Sequence, residues 1–122
     1  MIKSKAILMS KQIIIFTDGS YIKHLNRCGY GVYFPNGEYD NISRRFKIEP
    51  LSNQRAELYA IYRGIKRVYK NDKSQDIKIY TDSEYSINSI TVWINNWKQN
   101  NWISSTGKPV ANQDIIRKID KL

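Results

Sequence analysis

The sequence predicts a single mixed α/β domain, and three observations carry that prediction. Short β-branched runs end in turn signals, longer stretches repeat apolar residues at helical spacing, and the two kinds follow the order β-β-β-α-β-α-α. A length of 122 residues is one domain's worth of chain. Residues 1–122 are therefore read as one unit, with 1–11 expected as a mobile lead-in to the first strand.

Each element has its own justification. Gln12 to Thr17 (QIIIFT) is a β-branched run that meets Asp18-Gly19-Ser20, a strand entering a turn. Gly29 to Phe34 is a second strand, Asn36-Gly37 is a hairpin signal, and Tyr39 to Ile48 returns as the third. Pro50 then stops the sheet pattern. Ser52 can cap a helix running to about Lys70, whose stripe Leu58, Ile61, Ile65 and Val68 is spaced by three, four and three residues. Arg63, Lys66, Arg67 and Lys70 fall on its outer, wet side. Asp76 to Thr81 is a fourth strand, and Asp82-Ser83 suits the start of a helix. That next helix carries Ile87, Ile90, Ile94 and Trp97 on one face. A polar loop from Lys98 to Pro109 leads to a last helix from Asn112, with Ile115, Ile119 and Leu122 as its stripe.

Composition narrows the function classes. Hydrophobic residues make up 41% and charged residues 25%, an ordinary globular balance that argues against a disordered, collagen-like or membrane chain. No apolar run approaches the roughly 18 residues of a spanning helix. Lys and Arg outnumber Asp and Glu by 20 to 11, a net charge of +9, which makes nucleic acid a natural partner and a merely solvated basic surface the plainer alternative. The single cysteine, Cys28, cannot form an internal disulfide. It points to a reducing, intracellular (cytoplasmic) setting rather than secretion, and to a small half-buried apolar role. His24, the only histidine, is expected on the surface.

The acids carry the chemistry. Two strands end alike, in Thr17-Asp18-Gly19-Ser20 and in Thr81-Asp82-Ser83. If the intervening helix lays the first and fourth strands side by side and parallel, Asp18 and Asp82 emerge together at their carboxyl ends, on strands about 4.8 Å apart. Two carboxylates so close repel unless a cation lies between them, and hard ions such as Mg2+ take oxygen ligands together with a phosphate oxygen. Glu57, beside the buried Leu58, falls at the same edge. Three acids around a cation on a basic protein describe phosphodiester chemistry better than sugar chemistry. Taken singly, each has a plainer role: Asp18-Gly19 as a turn, Asp82 as a cap, Glu57 as a solvated helix residue.

Thr17-Asp18-Gly19-Ser20, Asn53-Gln54-Arg55-Ala56-Glu57-Leu58, Tyr80-Thr81-Asp82-Ser83 and Trp93-Ile94-Asn95-Asn96-Trp97-Lys98, followed by Trp102, Ser105, Gly107 and Lys108, stand in an order that resembles type 1 ribonuclease H. The resemblance covers about Ile14 to Leu122. It implies a ribonuclease-H-like mixed sheet of order 3-2-1-4 flanked by helices, and endonucleolytic hydrolysis of the RNA strand of RNA–DNA hybrids to 5′-phosphate and 3′-hydroxyl ends. The cofactor it implies is Mg2+, or Mn2+, held by Asp18, Glu57 and Asp82 as catalytic and metal-binding residues in a two-metal mechanism.

The same resemblance implies substrate contacts. Gly19 and Ser20 follow the first acid; Asn53 and Gln54 match residues that touch the RNA strand and its 2′-hydroxyls, with a cap-and-first-turn role as the alternative for Asn53. Ser52 and Asn112 match part of a pocket for a DNA-strand phosphate whose basic member falls at Pro50 here, and Asn112 also looks like a helix N-cap. Tyr85, Trp93, Trp97 and Trp102, with Lys98, Ser105 and Lys108, match a protrusion that cradles the DNA backbone, Trp97 being the most core-like of them. The family's fifth strand, histidine-bearing loop, last helix and fourth acid have no counterpart in this sequence; Asp114 and Asp120 do not match that acid. The expectation is therefore a C-terminally shortened form with two readings: a working nuclease, or a non-catalytic hybrid-binding remnant or half of a split enzyme. The partners implied are an RNA–DNA hybrid and a protein segment supplying the fifth strand and fourth acid, with no membrane. Another nuclease on the same fold, an integrase or resolvase, fits the Asn53-Gln54 pair and the tryptophans less well.

Overall fold

A computed structural model describes residues 12–122 of the chain, so the lead-in assigned to 1–11 lies outside the described residues. Strand β1 (Ile13–Ile22) is central: it pairs antiparallel with β2 (Arg27–Tyr33) and parallel with β4 (Ile77–Tyr80), while β2 pairs antiparallel with β3 (Ile42–Arg45). The sheet order is β3-β2-β1-β4, as expected from the resemblance. Helix α1 (Asn53–Tyr69) makes the crossover from β3 to β4. Two short helices, α2 (Glu84–Asn88) and α3 (Ile94–Gln99), are joined by a π turn over Ser89–Trp93, and α4 (Gln113–Asp120) packs beside α1.

Side chains alternate across the sheet. Ile13, Ile15 and Thr17 of β1 face α1 and are buried, whereas Phe16, Asp18 and Ser20 are exposed. The core fills the space between that inner face and the stripe of α1: Leu58, Ile61 and Val68 are buried together with Ile15, Val32 and Phe46, and Ile115, Ile116 and Ile119 add the inner face of α4. Ile65 lies half-buried at the margin. Ser52 caps α1 as expected, its Oγ accepting from the Arg55 amide at 3.1 Å. Among the described residues no helix is long and apolar enough to cross a membrane.

Four sequence expectations change. The turn expected at Asp18-Gly19-Ser20 is strand: β1 runs on to Ile22 because the residues from Phe16 to Ile22 pair with Tyr33 to Arg27, and the chain reverses later, over Lys23–Leu25 and the left-handed Asn26. Gly19 is a glycine for another reason. A Cβ built there would lie 2.4 Å from the Glu57 amide nitrogen and 2.6 Å from the Ala56 carbonyl carbon, so β1 and α1 touch backbone to backbone. The third strand is shorter than Tyr39 to Ile48, since only Ile42–Arg45 finds partners on β2. Ile87 does not share the buried face with Ile94: it is 44% exposed against 7%. The extra residue of the π turn rotates the helix face, so that Ser86, Ser89 and Ile94 turn inward instead. Finally, Asn112 occupies the N-cap position of α4 with φ 61° and makes no side-chain cap bond, because its amide is spent elsewhere.

The contact at Gly19 makes a sharp contrast testable. Gly19→Ala must push α1 off β1 and should lower stability by about 1–3 kcal/mol in urea unfolding. Gly64→Ala, whose Cβ would meet only side-chain atoms of Val32 and Ile15 at 3.2 and 3.3 Å and which gains helix propensity, should stay within about 1 kcal/mol of the unmodified protein.

Candidate active site and nucleic-acid interface

The sheet and α1 bring the three acids to one rim. Parallel pairing sets Phe16 beside Tyr80, and two residues further along each chain stand Asp18 and Asp82. Glu57 joins them through Gly19, whose close approach to the Glu57 backbone fixes the first turns of α1 against the residue after Asp18. Asp18 and Asp82 are exposed and Glu57 half-buried. The cap of α2 is Ser83, whose Oγ accepts from the Ser86 amide at 3.1 Å, and that leaves the Asp82 carboxylate unspent by capping. Asp18 accepts from the neighbouring Gly19 amide at 2.9 Å. None of the three takes part in the ion pairs formed among the described residues.

As a donor set these are hard oxygen ligands of the kind Mg2+ prefers. Among the described residues no three His, Cys, Asp or Glu side chains are gathered tightly enough to cage an ion unaided. The fit to a hard ion is therefore one of donor chemistry, not of a preformed cage. Beside Asp18 the outer face of the sheet carries a shallow trough lined by Gly19, Ser20, Gly29, Gly31 and Ser43, with Arg44 at one side. The glycines leave its floor without side chains, open to a ligand backbone.

The start of α1 is tied to the end of β1. Asn53 accepts the Tyr21 amide through its Oδ1, so of its polar atoms the Nδ2 donor remains for a ligand. Gln54 beside it is exposed. Ser52 and Asn112 lie in one polar cluster, organised by a residue that sequence reasoning passed over. Arg55, on the buried side of α1 and 3% exposed, forms a two-pronged ion pair with Asp114 at 2.8 and 2.8 Å, and also reaches Asn112 Oδ1 and the Glu49 carbonyl at 3.4 Å each. Asn112 in turn donates to the Tyr85 hydroxyl at 2.9 Å. A cation therefore stands beside Glu49-Pro50, where the resemblance would lead one to expect a basic residue, yet its charge is committed to Asp114. The signal was available: Arg55 stands three residues before Leu58, in line with the apolar stripe, so its charge enters the buried side of the helix and needs a partner there.

The tryptophans form a ladder rather than separate contacts. Ring centroids run from Tyr85 to Trp93 at 6.1 Å, Trp93 to Trp97 at 5.9 Å and Trp97 to Trp102 at 6.4 Å. Trp102 is buried at one end, with Arg117 over its ring at 5.3 Å, Trp97 is half-buried, and Trp93 is exposed at the other end. Ser105 and Lys108 stand exposed in a tight loop closed by Ser104 and Lys108 backbone bonding at 2.7 Å. Lys98, expected to meet phosphate, pairs with Asp120 at 3.2 Å. Cys28 is fully buried rather than half-buried, in the apolar role expected of it, and burial pushes its thiol up, away from reactivity. His24 is exposed in the turn after β1.

The Arg55–Asp114 pair has a pH consequence. The Arg55 hydrogen bonds hold the Asp114 carboxyl below the usual carboxylate range, so the folded protein binds this proton less readily than the unfolded chain. The stabilisation is complete above the ordinary carboxylate value near ~4 and is lost as pH falls through the lower folded value. Asp114→Asn should cost about 1–2 kcal/mol at neutral pH, the small figure reflecting an Asp114 side chain 54% exposed beside a buried guanidinium. In urea melts run from pH 7 down to pH 3, the gap between the two proteins should narrow as the pH drops below about 4.

Three comparisons bear on this geometry. The RNase H family model matches residues 10–122. Over 93 residues the chain is 43% identical to a probable ribonuclease H of Acanthamoeba polyphaga mimivirus, covering 75% of this chain and 41% of that protein, so it spans about two fifths of that relative's length. It is 39% identical over 114 residues to ribonuclease HI of Pasteurella multocida, covering 93% of this chain and 71% of that protein. Among solved structures, the PFV RNase H domain superposes with a TM-score of 0.72 at 23% identity, covering 94% of this chain and 73% of that one, a likeness of fold. The match across nearly the whole length, on the fold and in the order of motifs described above, places this chain in the ribonuclease H family.

Proposed function

We propose that the chain cuts the RNA strand of RNA–DNA hybrids internally, leaving 5′-phosphate and 3′-hydroxyl ends. The observation that carries this reading is the backbone placement of Asp18 and Asp82 two residues beyond the parallel Phe16–Tyr80 pair, with the Glu57 amide against Gly19, in a protein of net charge +9 that belongs to this family. Asp18, Glu57 and Asp82 would hold the divalent ions, Mg2+ or Mn2+, which when bound supply a more acidic water and neutralise charge at the leaving 3′ oxygen.

The chain's own residues do the rest. The Gly29 and Gly31 floor beside Asp18 lets a sugar–phosphate backbone approach closely. The Asn53 Nδ2 and the Gln54 amide offer donors, and Gln54 an acceptor as well, for 2′-hydroxyls, the groups that separate RNA from DNA. Ser52, Asn112 and the amino end of α4 receive a phosphate of the DNA strand, with Arg55 and Asp114 setting the Asn112 amide. Exposed Trp93, half-buried Tyr85 and Lys108 receive the DNA backbone further along, where Trp97 supports Trp93 from behind.

A second reading has its own observation. On the outer face Phe16, Tyr33 and Tyr80 are 43%, 52% and 42% exposed, with Phe16 stacked on Tyr80 at 4.9 Å, immediately before the acid rim. A segment of protein covering that face and the β4 edge, and bringing a fourth acid, would complete the rim. In that case the chain binds hybrid but does not cut it alone.

Cleavage of a labelled hybrid separates the two. With Mg2+, then Mn2+, the first reading expects internal cuts that EDTA abolishes and that Asp82→Asn reduces to background while hybrid binding persists. Salt-sensitive binding with no cleavage in either metal would select the second.

A further inference from the structure

A basic surface that the hybrid cleft does not use runs round the back of the molecule. Arg44 borders the trough beside Asp18 and also lines a second cleft on the α1 side, shared with Arg45, Lys47 and Arg63. Arg63 in turn lines a third cleft with Lys66, Arg67 and Lys70. The three openings therefore adjoin through shared residues, and neither of the two rear clefts has an Asp or Glu in its lining. Glu38 and Asp40 line a separate hollow with Arg67.

These cations are free to meet an anion. Among the described residues the ion pairs are Arg55–Asp114 and Lys98–Asp120, and no member of the rear clefts is in either. Two of the guanidiniums are nonetheless held in place by neutral acceptors: Arg63 donates to the Tyr30 hydroxyl at 3.2 Å and Arg67 to the Asp40 carbonyl at 2.8 Å. Those bonds orient the charge without cancelling it. Lys66 lies over the Tyr62 ring at 5.4 Å, and Lys118 of α4 approaches the same ring at 5.8 Å, which widens the positive field.

We propose that this surface is a second nucleic-acid contact, a phosphate track for duplex backbone lying outside the hybrid cleft. Its dimensions suit that ligand. Arg63 to Lys70 is seven residues of helix, about 10 Å, over which one strand of a duplex presents about three phosphates. Charge complementarity is one-sided, hydrogen-bonded guanidiniums favour phosphate oxygens, and the one side-chain amide in the third cleft, Asn71, has its Nδ2 engaged with the Arg67 carbonyl at 3.0 Å. The contact is therefore independent of sequence. Its effect is to raise the residence of long duplexes near the acid rim, since Arg44 belongs to both surfaces.

The test removes charge from the track and, separately, an equal charge from elsewhere. Lys66 and Lys70 are exposed on α1 and Lys23 and Lys78 are exposed off the track, so both pairs can be changed to Gln without disturbing the core. Binding of a 30-bp RNA–DNA hybrid is measured in an Asp82→Asn background across a salt series, and initial cleavage of a saturating 10-bp hybrid is measured with Asp82 intact. Lys66→Gln with Lys70→Gln should weaken 30-bp binding about tenfold and make the slope of log K against log salt shallower by about 2, at ~0.9 for each phosphate that is no longer neutralised. The 10-bp cleavage rate should not change. A weakening no larger than that of Lys23→Gln with Lys78→Gln would overturn the track, leaving only general charge. A weakening seen with 30-nucleotide single-stranded RNA but not with duplex would overturn its assignment to duplex backbone. Failure of the unmodified protein to cut hybrid would instead count against the proposed activity and leave the binding result standing.

Discussion

The backbone contact between β1 and α1 at Gly19 is the constraint from which the site follows. A strand and a helix normally keep side chains between them, and their axes stand well apart. Here the missing Cβ lets the Glu57 amide approach the strand directly. The approach fixes the rotation of α1 about its axis, and three consequences follow from that rotation. Glu57 turns to the rim that carries Asp18, Leu58 and Ile61 turn into the core, and Arg55 turns under the chain toward α4. A wider spacing would relax all three together.

Arg55 extends the same constraint to a distant part of the sequence. Its guanidinium is buried, so a full charge must be matched inside the protein, and Asp114 matches it with two hydrogen bonds. The first turn of α4 is thereby held against the start of α1. Asn112, in a left-handed conformation that turns its side chain away from capping, bridges Arg55 and Tyr85. The polar cluster at the two helix starts and the aromatic ladder thus form one connected support, running from Ser52 to Trp102. Its members are far apart in sequence and bound by a few directional contacts, which explains why an asparagine occupies a cap position without capping.

Charge is divided unevenly over this frame. Among the described residues the acids that serve structure, Asp114 and Asp120, are paired with cations, whereas the three at the rim are not. Among the described residues most of the basic side chains are likewise in no ion pair, and many occupy the rear of α1 and the β3 edge as well as the loop bearing Lys108. A small negative rim within a large positive surface is a charge pattern that attracts polyanions at long range. The outer face of the sheet, with Phe16, Tyr33 and Tyr80 uncovered, is the apolar exception next to that rim.

Much of this was legible in the residues themselves. The alternation and β-branching of the strands, the stripe of Leu58, Ile61 and Val68, the Ser52 cap and the parallel juxtaposition that brings Asp18 and Asp82 together follow from periodicity and crossover length, because those signals are local or impose a single topology. The ordered motifs identified the family for the same reason: each is a short run read directly from the chain. What only the tertiary structure decided depends on which surfaces meet. Asp18-Gly19-Ser20 reads locally as a turn, and pairing with β2 overrules it; the contact that Gly19 makes with α1 has no counterpart in the local sequence. Ile87 reads as core until the π turn rotates its helix, and the partner Arg55 finds in Asp114, 59 residues away, has no local signature. Local sequence determined the elements and the chemical character of the rim, while long-range packing, which no window of sequence contains, determined how those elements face one another.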